Sequence, residues 1–389
     1  MRKEIKKAPT IRFRGFTNDW KQCKLNDIAD VRDGTHNSPQ YQDEGHPFIT
    51  SKNVKDGFIN YAEVEYISDE DFNEINKRSK VAINDILMGM IGTIGNMALI
   101  RIEPDFAIKN VALIKNTGQI NHLYLYHFLH SPYIKKQLFA VMDGGTQKFI
   151  SLNNVRNLNI LSPKLKEQIE LGIYFENLEK IITLYQRKLD QLKKLKKYFL
   201  QNLFPAKGEK VPRIRFKGFT GDWEQRKLGE CCREFKSGSF ISASDIKESG
   251  EYPVFGGNGL RGYTSEYNHN GEFALIGRQG NLCGNMNYST GKAYFTEHAI
   301  AVQANKFSDT KFMYYLLKKM NLGQYSDQSA QPGLAVGKLI NMKASFPSAS
   351  EQEKIGAYFA NIDHLIALHQ RKLNQLQTMK KFMLQNLFI

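Results

Sequence analysis

Residues 167–204 read EQIELGIYFENLEKIITLYQRKLDQLKKLKKYFLQNLF, and residues 351–388 read EQEKIGAYFANIDHLIALHQRKLNQLQTMKKFMLQNLF. Twenty-one of the thirty-eight letters agree, at an offset of 184. Neither stretch contains proline, and the single glycine of each lies near its start. In the first, Ile182, Tyr185, Leu189, Leu192, Lys196, Phe199 and Leu203 alternate steps of three and four; in the second, Ile366, His369, Leu373, Leu376, Lys380, Met383 and Leu387 do the same. That spacing predicts two long helices, each carrying a coiled-coil seam, and packing on each other is their simplest burial. Ser350 with Glu353 offers a capping box at the second start. Pro205, Gly208 and Pro212 end the first helix and open a linker.

A second repeat frames the first. IRFRGFTNDWKQCKL (11–25) returns as IRFKGFTGDWEQRKL (214–228), with eleven of fifteen letters kept at an offset of 203. The two offsets differ by 19, so the stretch between opening phrase and tail is shorter by that much in the second copy. Those intervening bodies share little sequence: DGTHNSPQYQDEGHPFITSKNV has no counterpart in SGSFISASDIKESGEYPVFGGNGLRGY. The chain thus parses as a first body (1–166), a first helix (167–204), a linker (205–213), a second body (214–350) and a second helix (351–389). Both bodies read as mixed α/β (α+β). AINDILMGMIGTIGNMALI (82–100) and GEFALIGRQGNLCGNMNY (271–288) are strands broken by a Gly-rich turn, with FAIKNVALIK and FTEHAIAVQA as strands after them. A helix is expected over 120–139, and TKFMYYLLKKM is its counterpart.

With 389 residues the chain can build two or three cored domains. No run of eighteen apolar residues exists, so no membrane span is expected, and the basic start MRKEIKKAPT is followed by no apolar stretch of the secretory kind. Four cysteines without C-x-x-C spacing argue against structural zinc and a disulfide framework, and fit reduced thiols in a cytoplasm. Lys plus Arg exceeds Asp plus Glu by 54 to 39, a net +15 that favours a polyanionic partner such as nucleic acid.

No catalytic pattern in the sequence is complete. His122, His127 and His130 could place two imidazoles on one helix face, but the second copy has Tyr315 and Lys318 at the places of His127 and His130, which favours packing residues over metal ligands. GMIGTIGN and GGNGLRGY lack the GKS/GKT of a phosphate loop. Asp245 and Lys247 have nuclease-like spacing without a preceding Pro-Asp, and no G-x-S-x-G elbow is present. What remains is the equipment of a reader: cationic, amide and hydroxyl side chains on loops. In the first body these are Arg32, Thr35, His36, Asn37, Lys52, Asn53, Arg78, Gln147 and Lys148. In the second they are Asn258, Arg261, Tyr263, Arg278, Gln279, Asn281, Gln328 and Gln331.

Two variable bodies alternating with two near-identical helical tails resemble the DNA-specificity subunit of type I restriction–modification systems. The tails, the P-x-x-x-EQ at 163–168 with its counterpart at Pro347 and Glu351, and GFTxDW are similar to that family's frame; YPVFGGNGLRGY and IGRQGNLCGN look like pieces of one of its target-recognition domains. The resemblance covers nearly the whole chain. It implies that each body reads one half of a split double-stranded DNA site, and that the helices pack antiparallel and set the spacer. It further implies two methyltransferase subunits and two motor-endonuclease subunits as partners, with S-adenosylmethionine, ATP and Mg belonging to those partners and no catalysis in this chain. A free-standing DNA-binding protein, a fused restriction endonuclease and a coiled-coil scaffold are the competing readings.

Overall fold

Each tail forms one uninterrupted helix of 38 residues, Leu165–Asn202 and Ala349–Asn386, about 57 Å long at 1.5 Å per residue. The computed structural model of the protein describes residues 8–145, 148–326 and 332–388. The chain divides into two units, Met1–Tyr185 with Lys372–Ile389, and Gln186–Arg371. Each unit holds one body, the first half of one long helix and the last part of the other.

Within each unit the two helix segments run antiparallel. In the first, Phe388 stacks on Phe175 with ring centroids 5.1 Å apart, while eight residues back Lys380 Nζ lies 2.7 Å from Oε1 of Glu179. In the second, Phe204 lies against Phe359, and Lys196 pairs with Asp363. Leu189, Leu192 and Leu203 are buried; Ile182, Tyr185, Lys196 and Phe199 are half-buried. The second helix repeats this pattern, with Leu373, Leu376 and Leu387 buried and Ile366, His369, Lys380 and Met383 half-buried. The lysines sit at seam positions because each has a carboxylate within its own unit to meet, which offsets the cost of partial burial.

The shared start of the tails has a job at every position. Glu167 and Glu351 are 2% and 1% exposed and receive Arg12 and Arg215. Gln168 Nε2 donates to the Pro163 carbonyl, 2.9 Å, and its Oε1 accepts from the Asn121 N–H, 2.9 Å. Gln352 does the same with Pro347, 3.0 Å, and Asp309, 3.1 Å. Asn121 and Asp309 are the N-caps of the body helices His122–Leu129 and Thr310–Met320. The lone tail glycine permits this close approach: a Cβ on Gly356 would lie 2.4 Å from Asp309 Oδ1, and one on Gly172 2.9 Å from Asn121 Oδ1.

Two expectations need correcting here. The second long helix begins at Ala349, with Ser348 Oγ accepting from the Glu351 N–H at 3.4 Å, so no capping box forms at Ser350 and Glu353. The helix expected over 120–139 is two, His122–Leu129 and Pro132–Ala140, because Pro132 cannot continue a helix and Ser131 caps a new one.

The bodies share a topology that their sequences hide. The first has a four-stranded antiparallel sheet in the order Asp30–Asp33, Val111–Lys115, Ile86–Gly89, Met97–Leu99; the second has Cys232–Ser237, Ala299–Ala304, Phe273–Gly277, Met286–Ser289. A second sheet in each, three-stranded in the first body and four-stranded in the second, contains a parallel pair, His46–Thr50 with Ala107–Lys109 and Tyr252–Gly256 with Lys292–Phe295. Each opening phrase leads into a strand paired antiparallel with the one before the long helix, Lys21–Lys24 with Asn159–Ser162 and Glu224–Lys227 with Lys343–Phe346. Trp20 and Trp223, from the repeated phrase, are buried in the main core of their units with Phe388 and Phe204 respectively.

Candidate nucleic-acid interface

In the second body two glycine turns meet. A Cβ on Gly277 would lie 2.5 Å from the Gly257 carbonyl oxygen, and one on Gly257 2.9 Å from that of His298. The glycines of GGNGLRGY and IGRQGN therefore serve close backbone approach. The contact gathers Asn258, Arg261, Gln279 and Asn281 around one open concavity of about 480 Å³, with Leu282 and His298 completing its wall. Four of the residues singled out from sequence thus come together from two segments. Arg278 flanks them, its N–H donating to the His298 carbonyl at 2.9 Å and its own carbonyl accepting from Leu334 at 2.9 Å. Tyr263 does not line this concavity; its backbone pairs with Lys247 in both directions, 2.8 and 2.9 Å. Gln328 and Gln331 lie outside the described residues.

In the first body Thr35, Asn37 and Arg78 share a concavity of about 340 Å³ with Ser38, Ile75 and others. Arg78 of this concavity pairs with the Asp33 carboxylate, which also lies 2.9 Å from His36 Nε2, while His36 Nδ1 is 2.6 Å from Asn110 Oδ1. Lys52 and Lys148 are exposed, and Gln147 lies outside the described residues.

One first-body expectation is corrected. Asn53 is 2% exposed and its amide is consumed by the loop: Oδ1 accepts from the Thr50 N–H and hydroxyl at 3.0 and 2.7 Å, and Nδ2 donates to the Asn60 and Glu63 carbonyls at 3.2 and 2.9 Å. It shapes the loop that carries Lys52 and cannot reach a base. Arg32, half-exposed, bonds Asp30, 2.8 Å, and the Arg78 carbonyl, 2.9 Å, at the end of the helix Asp69–Ser79, where a cation suits the helix dipole. Sequence reasoning also missed His298 and Asn110. Each precedes a central strand, and the polar pair Glu297–His298 inside an apolar run is the signal that marked a turn there.

Among the described residues, the one trio of possible metal-ligating atoms that converges within 4.8 Å is His127, Glu176 and Glu179. Three cations already balance its carboxylates. Arg101 forks onto Glu176 at 2.7 and 2.8 Å, Lys180 approaches Glu176 at 3.4 Å, and Lys380 holds Glu179. His127 is wholly buried, its Nδ1 is 3.7 Å from Glu179, and burial above all pushes its pKa well below the ordinary histidine value. It packs against Phe175 and Tyr126 as a core residue. His130 is held by the Tyr126 carbonyl, 2.8 Å, and Asp56, 2.7 Å, and that bond chiefly lowers the Asp56 pKa. Asp245 and Lys247 line a separate concavity of about 700 Å³ with Glu251 and Glu266, but those carboxylates do not converge on a common point.

Known proteins are similar to this chain in sequence and in fold. The family described as "Type I restriction modification DNA specificity domain" matches residues 17–194 and 220–378. The type I restriction enzyme EcoprrI specificity subunit of Escherichia coli is 44% identical over 156 residues, 39% of this chain and 39% of that subunit. The chain therefore spans well under half of that relative's length in the match. The MjaX type I restriction enzyme specificity subunit of Methanocaldococcus jannaschii is 24% identical over 93% of this chain and 91% of its own. In fold, the chain is similar to the crystal structure of a type I restriction–modification S subunit from M. genitalium, with a TM-score of 0.73, 17% identity, and coverage of 98% of this chain and 99% of that one. With both halves of the chain matched around two like-built bodies, the protein belongs to the type I restriction–modification DNA specificity family.

Proposed function

We propose that this chain is the non-catalytic reading subunit of a type I restriction–modification complex. Each body reads one half of a split double-stranded DNA site through the concavities described above, and the long helices set the gap between the halves. The observation that carries this reading is that one backbone frame is built twice with unlike polar side chains at its loops, which suits two half-sites of different sequence. Positive charge over the chain favours the phosphate contacts that position such readers.

The helices would also dock two methyltransferase subunits. Exposed apolar side chains recur on both at the same offset of 184: Ile181, Leu184, Leu195 and Tyr198 on the first, Leu365, Leu368, Met379 and Phe382 on the second, all between 38% and 65% exposed. Apolar stripes of this kind mark protein contacts, and their repetition fits two equal partners. Two motor-endonuclease subunits would complete the assembly, S-adenosylmethionine, ATP and Mg would be bound by the partners, and the complex would work in the cytoplasm. No helix of the described residues is long and apolar enough to cross a membrane.

The test is to reconstitute the chain with methyltransferase subunits and map the sites it methylates. A bipartite motif with one constant gap is expected. Inserting a heptad into the first long helix lengthens that arm by about 10 Å, so the gap grows by up to about three base pairs at 3.4 Å each while the bases read stay the same. A folded insertion variant that keeps the original gap would remove the ruler from the account. The absence of any bipartite motif would remove the reading role itself.

A further inference from the structure

The turn after the central strand closes in the same way in both bodies, with one residue more in the second. Gly89 N–H donates to Asn96 at 2.9 Å as Gly277 donates to Asn285 at 2.8 Å, and Gly95 returns to Gly89 at 3.2 Å as Gly284 returns to Gly277 at 2.8 Å. A later segment of each body then pairs with the turn. Gly92 N–H donates to Lys148 at 3.0 Å and Ile150 N–H to Met90 at 2.9 Å; Gly280 donates to Pro332 and Leu334 to Arg278, both at 2.9 Å. The bridges Ile91 with Phe149 and Gln279 with Gly333 fall at the same place. The backbone thus equates Met90 with Arg278, Ile91 with Gln279, and Phe149 with Gly333.

Chemistry at these positions is opposite in the two bodies. In the second, Gln279 is exposed and faces the concavity shared with Arg261, Asn281 and His298. In the first, the corresponding surface is Ile91, half-buried, beside Phe149, 43% exposed, with exposed Lys148 next to it. An aromatic ring left so open beside Ile91, where the sister domain pairs a glycine with an amide, is set to meet a surface. It has no donor or acceptor with which to answer a polar base edge, and covering such an edge with a phenyl ring leaves it unsatisfied. The major groove offers one apolar feature, the 5-methyl group of thymine.

We propose that Ile91 and Phe149 are specificity-determining residues that read a thymine 5-methyl group in the first half-site, where the second domain reads with hydrogen bonds from Gln279. Lys148 supplies the adjoining phosphate contact. This inference rests on the DNA-reading role proposed above.

The test uses the chain in complex with methyltransferase subunits and a duplex bearing its mapped site. Each thymine of either strand is replaced in turn by deoxyuridine, which lacks only the methyl group. In the half-site assigned to residues 26–166, at least one replacement should weaken binding by roughly fourfold, the value of one buried methyl-sized group. At that position Phe149→Ala or Ile91→Ala should bind thymine and uracil duplexes equally. A first half-site without thymine, one insensitive to every replacement, or a Phe149→Ala protein that still prefers thymine over uracil would each overturn the proposal. Loss of all sequence preference in the unmodified complex would count against the DNA-reading role instead.

Discussion

Arg12 grips Glu167 with two arms of its guanidinium, Nε 2.7 Å from Oε1 and Nη2 2.7 Å from Oε2. Arg215 holds Glu351 in the same way at 2.8 and 2.7 Å. Each opening phrase is thereby latched to the base of the long helix in its own unit, and its isoleucine meets the end of the other helix segment there: Ile11 N–H donates to Asn386 at 2.9 Å, Ile214 to Asn202 at 3.0 Å. The phrase is written twice because each unit needs one latch.

Removing one partner of such a pair leaves a buried carboxylate without its counter-charge. Arg12→Ala should destabilise the first unit by about 3–5 kcal/mol, and Arg215→Ala the second by a similar amount. Replacing both Arg12 and Glu167 with methionine should cost much less. Urea unfolding followed by a probe in each unit separates the effects; an unchanged midpoint for the first unit in Arg12→Ala would contradict the latch.

Acid stability should depend on His127. Its folded pKa lies well below its ordinary value because burial, and after it the charges of His130, Lys380 and Arg101, disfavour the imidazolium; Glu176 and Glu179 face it from the long helix. The unfolded chain takes up the proton first as pH falls. The stabilisation is therefore complete above the ordinary histidine range and lost below it, at up to about 1.4 kcal/mol per pH unit. His127→Tyr copies the second unit, where Tyr315 donates to Asp363 at 2.8 Å. It should flatten this part of the stability–pH curve. An unaltered curve would show that His127 does not titrate between the two states.

Electrostatics gives a third expectation. Binding should weaken steeply with salt as phosphate contacts release counterions. Arg261→Ala or Arg278→Ala should relax selectivity in the second half-site by about 1–3 kcal/mol, and Lys52→Ala should lower the salt slope by about 1. Arg78→Ala should affect the first half-site alone. Salt-independent affinity would be incompatible with this interface.

The frame was legible in the sequence because helical periodicity and duplication leave signals that survive drift. Leu189, Leu192, Leu373 and Leu376 stand where a spacing of three and four places them, and they are buried. Of the residues singled out by side-chain type, the fold gathers Asn258, Arg261, Gln279 and Asn281 from two Gly-rich stretches, and Thr35, Asn37 and Arg78 around a concavity of the first body. Asn53 shows the limit. A polar side chain in a loop reads the same whether it faces solvent or closes backbone bonds, and that choice is made by residues far along the chain. His298 was hidden for the complementary reason, since the strand signal on either side of it masked the turn that exposes it.

The central claim is that the two bodies are independent readers on one frame. Its most direct measurement is methylation-site sequencing of DNA treated with a complex whose residues 229–350 have been exchanged for those of a relative. The account predicts that one half-site changes to the relative's sequence while the other half-site and the gap remain. A change in both half-sites, or in neither, would contradict it.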